Sequence, residues 1–248
     1  MSESITLALF TFLVSLIYSS VGHGGASGYL ALLSFFAVSH HEMATSALCL
    51  NLLVAGMAFW SFFRASYFSR KLVWPFTVTS VPFAFIGGFL KVPIGGYSLL
   101  LAGVLFFASW RLIFKFDRNA SKVLHPPSFI WSLVLGGAIG MLSGIVGVGG
   151  GIFLSPLMLL FHWADTKHTA AASTAFIFIN SLAGLLGKFA SHQFQLSPMV
   201  VYMVAAAFLG GIIGSRLGAN HFSGKWLKRI LAAVLLVAAL KLLRALVI

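Results

Sequence analysis

Hydrophobic residues fill this chain in long blocks, separated by short polar or glycine-rich interruptions. Ten apolar segments can be drawn: 5–21, 24–38, 43–63, 73–91 and 97–115, then 128–146, 148–162, 168–187, 197–216 and 226–247. The runs are continuous rather than alternating, which predicts helices and excludes a β-barrel. Many approach the roughly 20 residues that an α-helix needs to cross a bilayer. Segments 24–38 and 148–162 are short for a full crossing at about 1.5 Å per residue. Composition agrees: 60% of the 248 residues are hydrophobic and 8% charged, where a soluble domain carries about a quarter charged. The fold class is therefore all-α, a polytopic membrane bundle. Residues 1–4 hold no Lys or Arg, so segment 5–21 is read as a retained first membrane segment and not as a signal peptide.

The segments fall into two matching halves, 1–115 and 128–248, joined by a cytoplasmic linker at 116–127 that ends in His125, Pro126 and Pro127. Each half contains a glycine-rich break: Val21-Gly22-His23-Gly24-Gly25-Ala26 in the first, Val146-Gly147-Val148-Gly149-Gly150-Gly151 in the second. A short apolar run follows each, then a helix carrying Thr and, six positions on, Asn: Thr45 with Asn51, Thr174 with Asn180. Phe85-Ile86-Gly87-Gly88 and Phe208-Leu209-Gly210-Gly211 match next, and the fifth segments end basic, at Arg111 and Lys115 and at Lys241 and Arg244. One structural domain of two homologous repeats is expected, with Gly-broken helices near the membrane midplane.

Whether the repeats are inverted depends on the number of crossings in each. Five invert the second half, as do three if the first two segments form a re-entrant pair; four leave the halves parallel. An odd number places three basic clusters on the cytoplasmic side: Arg64, Arg70 and Lys71; Arg111, Lys115, Arg118 and Lys122; Arg216, Lys225, Lys228 and Arg229. Lys91 and Lys188 then fall in external loops, while Lys241 and Arg244 run against the pattern. Inverted repeats with both termini outside are the reading adopted.

The net charge of +12 fits the positive-inside bias and contact with anionic lipid, and also fits an anionic substrate. The four acids, Glu3, Glu42, Asp117 and Asp165, lie at the ends of apolar runs. None is available at the membrane centre to coordinate a cation or relay a proton. The basic residues are scattered between spans, which argues against nucleic acid. The single cysteine, Cys49, allows no internal disulfide and no thiol-based metal site. His40, His41 and Glu42 sit together in a predicted loop, but adjacent histidines point apart, and no metal or cofactor is expected. No G-x-x-x-x-G-K-[ST] motif is present, so ATP would require another subunit.

The breaks carry the candidate chemistry. Backbone that leaves the helix within hydrocarbon is tolerated only where protein or a water-filled cavity satisfies it. The N–H groups of the following half-helix, with the positive end of its dipole behind them, can bind an anion without a buried cation. In an inverted pair, half-helices beginning at Gly24 and Gly149 would meet from opposite sides. The candidate substrate-binding residues are Gly22, His23, Gly24, Gly25, Thr45 and Asn51, then Gly147, Gly149, Gly150, Gly151, Thr174 and Asn180. Ser46, Ser173 and Ser181 stand beside them. Thr45 and Asn51 lie about 120° apart on a helix, so they border a cavity rather than share a stripe. The plainer alternative is helix glue: glycines for close approach, hydroxyls and amides for interhelical hydrogen bonds. Gly136-Gly137 and Gly210-Gly211 are read that way, and Gly136, in a plain helix, is expected to accept alanine. His23 has Val148 as its counterpart; it can carry a proton, bear charge against an anion, or be satisfied by a neighbouring carbonyl.

In the order and duplication of these motifs the chain resembles the TauE/SafE sulfite-exporter family over essentially its whole length. It departs in having His23 and Ala26 in the first half where Val148 and Gly151 stand in the second. The resemblance implies transport of sulfur-containing anions such as sulfite, sulfoacetate or other organosulfonates across a bacterial inner membrane. The leading reading is a secondary transporter with alternating access around the duplicated break, its partners a small anionic substrate and membrane lipid. The oligomeric state, a homo-oligomer included, stays open. An anion channel of the same architecture is the alternative. An intramembrane enzyme is disfavoured, because Cys49 or His23 without an intramembrane acid forms no nucleophile–base pair.

Overall fold

A computed structural model of the chain describes residues 2–36, 38–91, 99 and 127–220. The expected segments 97–115 and 226–247, and nearly all of the linker, lie outside the described residues. Among the described residues there is no strand, and the helices are α1 (Ser2–Ser20), α2 (Ala26–Phe35), α3 (His40–Arg64), α4 (Arg70–Phe89), α5 (Phe129–Val146), α6 (Gly151–Leu160), α7 (Thr166–Ala190) and α8 (Val200–Asn220). Five of them, α3, α4, α5, α7 and α8, are long and apolar enough to cross a membrane. Helices α2 and α6 have 10 residues each, about 15 Å, or half of a bilayer's hydrocarbon core.

Polar side chains set several helix starts. Ser39 and Glu42 form a capping box on α3, with the Ser39 hydroxyl accepting from the Glu42 N–H and the Glu42 carboxylate from the Ser39 N–H, both at 3.3 Å. His40, His41 and Glu42 therefore belong to the first turn of α3 and not to a loop. Asp165 caps α7, accepting from the N–H groups of Lys167 and His168 at 2.9 Å. Lys188, expected in an external loop, is instead 4% exposed in the last turn of α7. The apolar run continues past it through Phe189 and Ala190, and a cation there complements the C-terminal end of the helix dipole.

Helices α3 and α7 pack on one another antiparallel: Gly56 lies against Phe178 while Leu48 lies against Gly184. Two parallel pairs flank them. In α1 with α8, Gly210, Gly214 and Gly218 rest on the backbone of Phe12, Leu16 and Ser20; in α4 with α5, Gly136, Gly140 and Gly144 rest on that of Phe76, Ser80 and Ala84. Glycine at every fourth position lets the two backbones touch, as in small-xxx-small contacts. A Cβ at Gly136 would strike the Phe76 carbonyl, so this position does not accept alanine as its plain helical setting suggested. Helix α8 also runs alongside α3 in the same direction: Ser46 accepts from the Ser197 N–H at 3.1 Å and Ser61 pairs with Ser215 at 2.9 Å. Exchanging the halves leaves the pairings unchanged: α1 with α8 becomes α5 with α4, α3 with α8 becomes α7 with α4, and α2 with α3 becomes α6 with α7.

Candidate functional site

The chain leaves the helix at both glycine-rich motifs. Residues 21–25 separate α1 from α2, with Gly22 and Gly25 at φ of 77° and 96°. Residues 147–150 separate α5 from α6, with Gly147, Gly149 and Gly150 at 81°, 75° and 81°. Left-handed backbone of this kind penalises any Cβ, which is why glycine stands there. After the first break the chain turns back: the Tyr18 hydroxyl meets that of Ser27 at 2.7 Å and Gly28 lies on Val14, so α2 folds along α1.

Each break rests on the Thr/Asn helix of the other half. Gly22 abuts Ala170 of α7, and Gly147 abuts Ala44 of α3. Deeper in, the breaks converge. Gly24 lies on Asn51 and Ile177, and Gly149 lies on the same two residues and on Ser181. Asn51 and Ile177 are both near mid-length of their 25-residue helices. The Asn51 side chain joins the two breaks directly. Its Oδ1 accepts from the Ala26 N–H at 3.0 Å, capping α2, and its Nδ2 donates to the Val148 carbonyl at 3.1 Å.

Asn180, the counterpart in α7, is fully buried and neither amide atom has a hydrogen-bond partner. The same holds for the Ser181 hydroxyl and for Nε2 of His23, which is 2% exposed. His23 Nδ1 lies 3.2 Å from the Val21 carbonyl, and the ring sits against the Gly151 backbone of the second break. Each buried polar group left without a partner costs about 1–3 kcal/mol. Two of these groups stand at the second break, the Ser181 hydroxyl beside Gly149 and the His23 ring beside Gly151, and Asn180 precedes Ser181 in α7. Here α6 begins, with Gly150 as its N-cap, a residue that has no side chain to cap the first N–H groups.

The remaining sequence candidates divide. Gly22, Gly24, Gly25, Gly147, Gly149, Gly150 and Gly151 shape the breaks. Thr45 is fully buried in α3. Thr174 is committed within its own helix, its hydroxyl donating to the Ala171 carbonyl at 2.9 Å. Ser46 and Ser173 are likewise occupied, by the Ser197 N–H and by Ser155. Ile177 went unnoticed in the sequence, because an apolar residue in an apolar helix carries no signal. Among the described residues no three of His, Cys, Asp and Glu gather to hold a metal.

Apolar spans enclosing two broken helices, which meet at a buried set of polar groups, are the construction of a membrane transporter. The chain belongs to the sulfite exporter TauE/SafE family, whose model matches residues 7–242. It is 33% identical to the probable membrane transporter protein y4hK of Sinorhizobium fredii, over 98% of this chain and 99% of that one. It is 24% identical to the probable membrane transporter protein YdhB of Bacillus subtilis, over 85% of this chain and 88% of the relative. Half of the chain is also 31% identical to 21% of MamO, a probable membrane transporter protein of Paramagnetospirillum magneticum. No solved structure gives a significant match. The protein is thus a multi-pass membrane transporter that takes a small-molecule substrate.

Proposed function

We propose that the protein is a secondary transporter of small sulfur-containing oxyanions, such as sulfite, sulfoacetate or other organosulfonates, across a bacterial inner membrane. The observation that carries this reading is the unpartnered Ser181 hydroxyl beside Gly149, next in sequence to the buried and unpartnered Asn180 amide. Amide, hydroxyl and backbone N–H groups all donate to oxyanion oxygens, and hydrogen bonds to a charged acceptor are the strong ones. Glu42 and Asp165 are occupied as caps at helix starts, away from this set. Among the described residues no carboxylate faces this set, and its amide, hydroxyl and backbone N–H donors suit negative charge.

Alternating access around this point is supported by the arrangement of the helices. Antiparallel α3 and α7, with flanking pairs that map onto each other when the halves are exchanged, fit inverted repeats. The pairs α1 with α8 and α4 with α5 each take one helix from either half, so the repeats interlock as one structural domain. Movement of the flanking pairs about this point would open the breaks to either side in turn, with Asn51 as the strut between them. The test is uptake into proteoliposomes of sulfite, sulfoacetate, taurine, thiosulfate and sulfate by the purified protein. Saturable uptake of at least one sulfur oxyanion, inhibited by its relatives, is expected. Folded protein that passes none of them would sink the proposal, and linear, unsaturating flux would make it a channel.

A further inference from the structure

We infer that the anion travels with a proton, held between a substrate oxygen and Nε2 of His23. This rests on the oxyanion reading above and assigns the coupling ion of that same site. The argument begins with the tautomer. The Val21 carbonyl only accepts, so the ring nitrogen facing it at 3.2 Å, Nδ1, carries the hydrogen. Nε2 of the neutral ring therefore presents a lone pair, and it does so with no partner and almost completely buried. A lone pair repels an anion's oxygen, whereas Asn180 and Ser181 are donors already. One proton placed between oxygen and Nε2 turns that repulsion into a charge-assisted hydrogen bond.

Among the described residues nothing else on the surrounding elements can take the part. The titratable side chains of α1, α2 and α3 near this level are Tyr18, bonded to Ser27, then Tyr29 and Cys49, a phenol and a thiol that are neutral at physiological pH. Glu42, Asp165, Lys167 and His168 stand at helix starts, and Lys188 stands at the far end of α7. A protonated His23 without the anion is a buried charge without a counter-ion, and the anion without the proton faces the lone pair. Each binds better when the other is present, and that coupling is reciprocal. No bond to the substrate is made or broken: one proton is taken up with the anion on one side and released with it on the other.

The probe is sulfite, at a pH where it is the dianion. Calorimetric titration of the purified protein in two buffers of different ionisation enthalpy should show about one proton taken up for each sulfite bound. In proteoliposomes clamped at zero membrane potential, an external medium one pH unit more acid should sustain about tenfold accumulation. His23→Gln keeps a polar group of similar reach but takes up no proton. In this variant proton uptake and gradient-driven accumulation should disappear, and sulfite affinity should fall and lose its dependence on pH. Sulfite binding by the native protein without proton uptake would overturn the inference, and that measurement does not depend on the variant folding. So would a folded His23→Gln protein with native proton uptake. Absence of any anion flux in the native protein would instead overturn the oxyanion reading itself.

Discussion

Asn51 holds two backbone groups that would otherwise be buried and unpaired, the Ala26 N–H and the Val148 carbonyl. Asn180 holds none. Substitution by alanine should therefore separate stability from binding. Asn51→Ala orphans both partners, at about 1–3 kcal/mol each, and should lower the thermal midpoint measured in detergent. Asn180→Ala orphans nothing and should leave the midpoint unchanged or raised, while sulfite affinity falls about tenfold, the loss of roughly 1.4 kcal/mol of donor contact. Equal effects of the two substitutions on both readouts would mean that the asymmetry has no functional content. The duplicated Thr and Asn spacing brought both asparagines into view. Their difference was not legible, because it depends on which backbone from the other half each amide meets. The glycines can be tested at the same scale. A Cβ at Gly149 needs left-handed backbone and would stand 2.8 Å from Asn51 Nδ2, Ile177 and Ser181. Gly149→Ala should thus cost about 1–2 kcal/mol and abolish transport. Gly137→Ala would meet only the Phe83 ring, at 3.5 Å, and should transport normally. A folded Gly149→Ala protein with native transport would take the second break out of the site.

At the scale of elements, two glycine rails set how closely the outer helices approach. Gly140 and Gly214 sit at the centres of the rails, on the backbones of Ser80 and Leu16. Backbone cannot move aside as a side-chain tip can, so an added group must push the helices apart. Gly140→Leu and Gly214→Leu should each lose monodispersity in size-exclusion chromatography. Gly184→Ala, whose nearest neighbour would be a Leu48 methyl at 3.5 Å, should not. Monodisperse Gly140→Leu protein would show that α4 and α5 are not bound by this contact. Eight of the ten apolar runs drawn from the sequence coincide with helices to within a few residues, since hydrocarbon thickness fixes the length of an apolar run. Charge misplaces two helix ends in the sequence. Glu42 and Lys188 each lie inside a helix, as a cap partner and as a complement to the dipole. Helix α6 starts at Gly151, later than its apolar run suggests. Gly149 and Gly150 adopt left-handed backbone that hydrophobicity alone does not reveal.

The whole molecule has two chemically distinct ends. Tyr67, in the turn between α3 and α4, stacks edge-on to His168 at the start of α7, with ring centres 5.6 Å apart. Lys167 beside it donates to the Gly218 and Ala219 carbonyls at the end of α8, both at 2.6 Å. These contacts collect Arg64, Arg70, Lys71, Lys167 and Arg216 at one end. At the other, Gln193 donates to the Phe89 carbonyl at 2.9 Å, which brings the ends of α4 and α7 together with Lys91 and His192. From the basic excess among the described residues we propose that the first end faces the cytoplasm. The bias and an inverted pair were legible in the sequence, but whether the first two segments cross or form a re-entrant pair was not, because it turns on α2 folding back along α1. The arrangement predicts a labelling pattern. In a Cys49→Ser background, Lys91→Cys and His192→Cys should react with an impermeant maleimide in right-side-out vesicles. Arg70→Cys and His168→Cys should react only after the membrane is permeabilised. If the pattern is reversed throughout, the bundle keeps its internal arrangement and sits the other way up. Labelling of Arg70→Cys without His168→Cys, or the converse, would put the two sides of a 5.6 Å contact on opposite faces of a membrane, and inverted repeats would have to be abandoned.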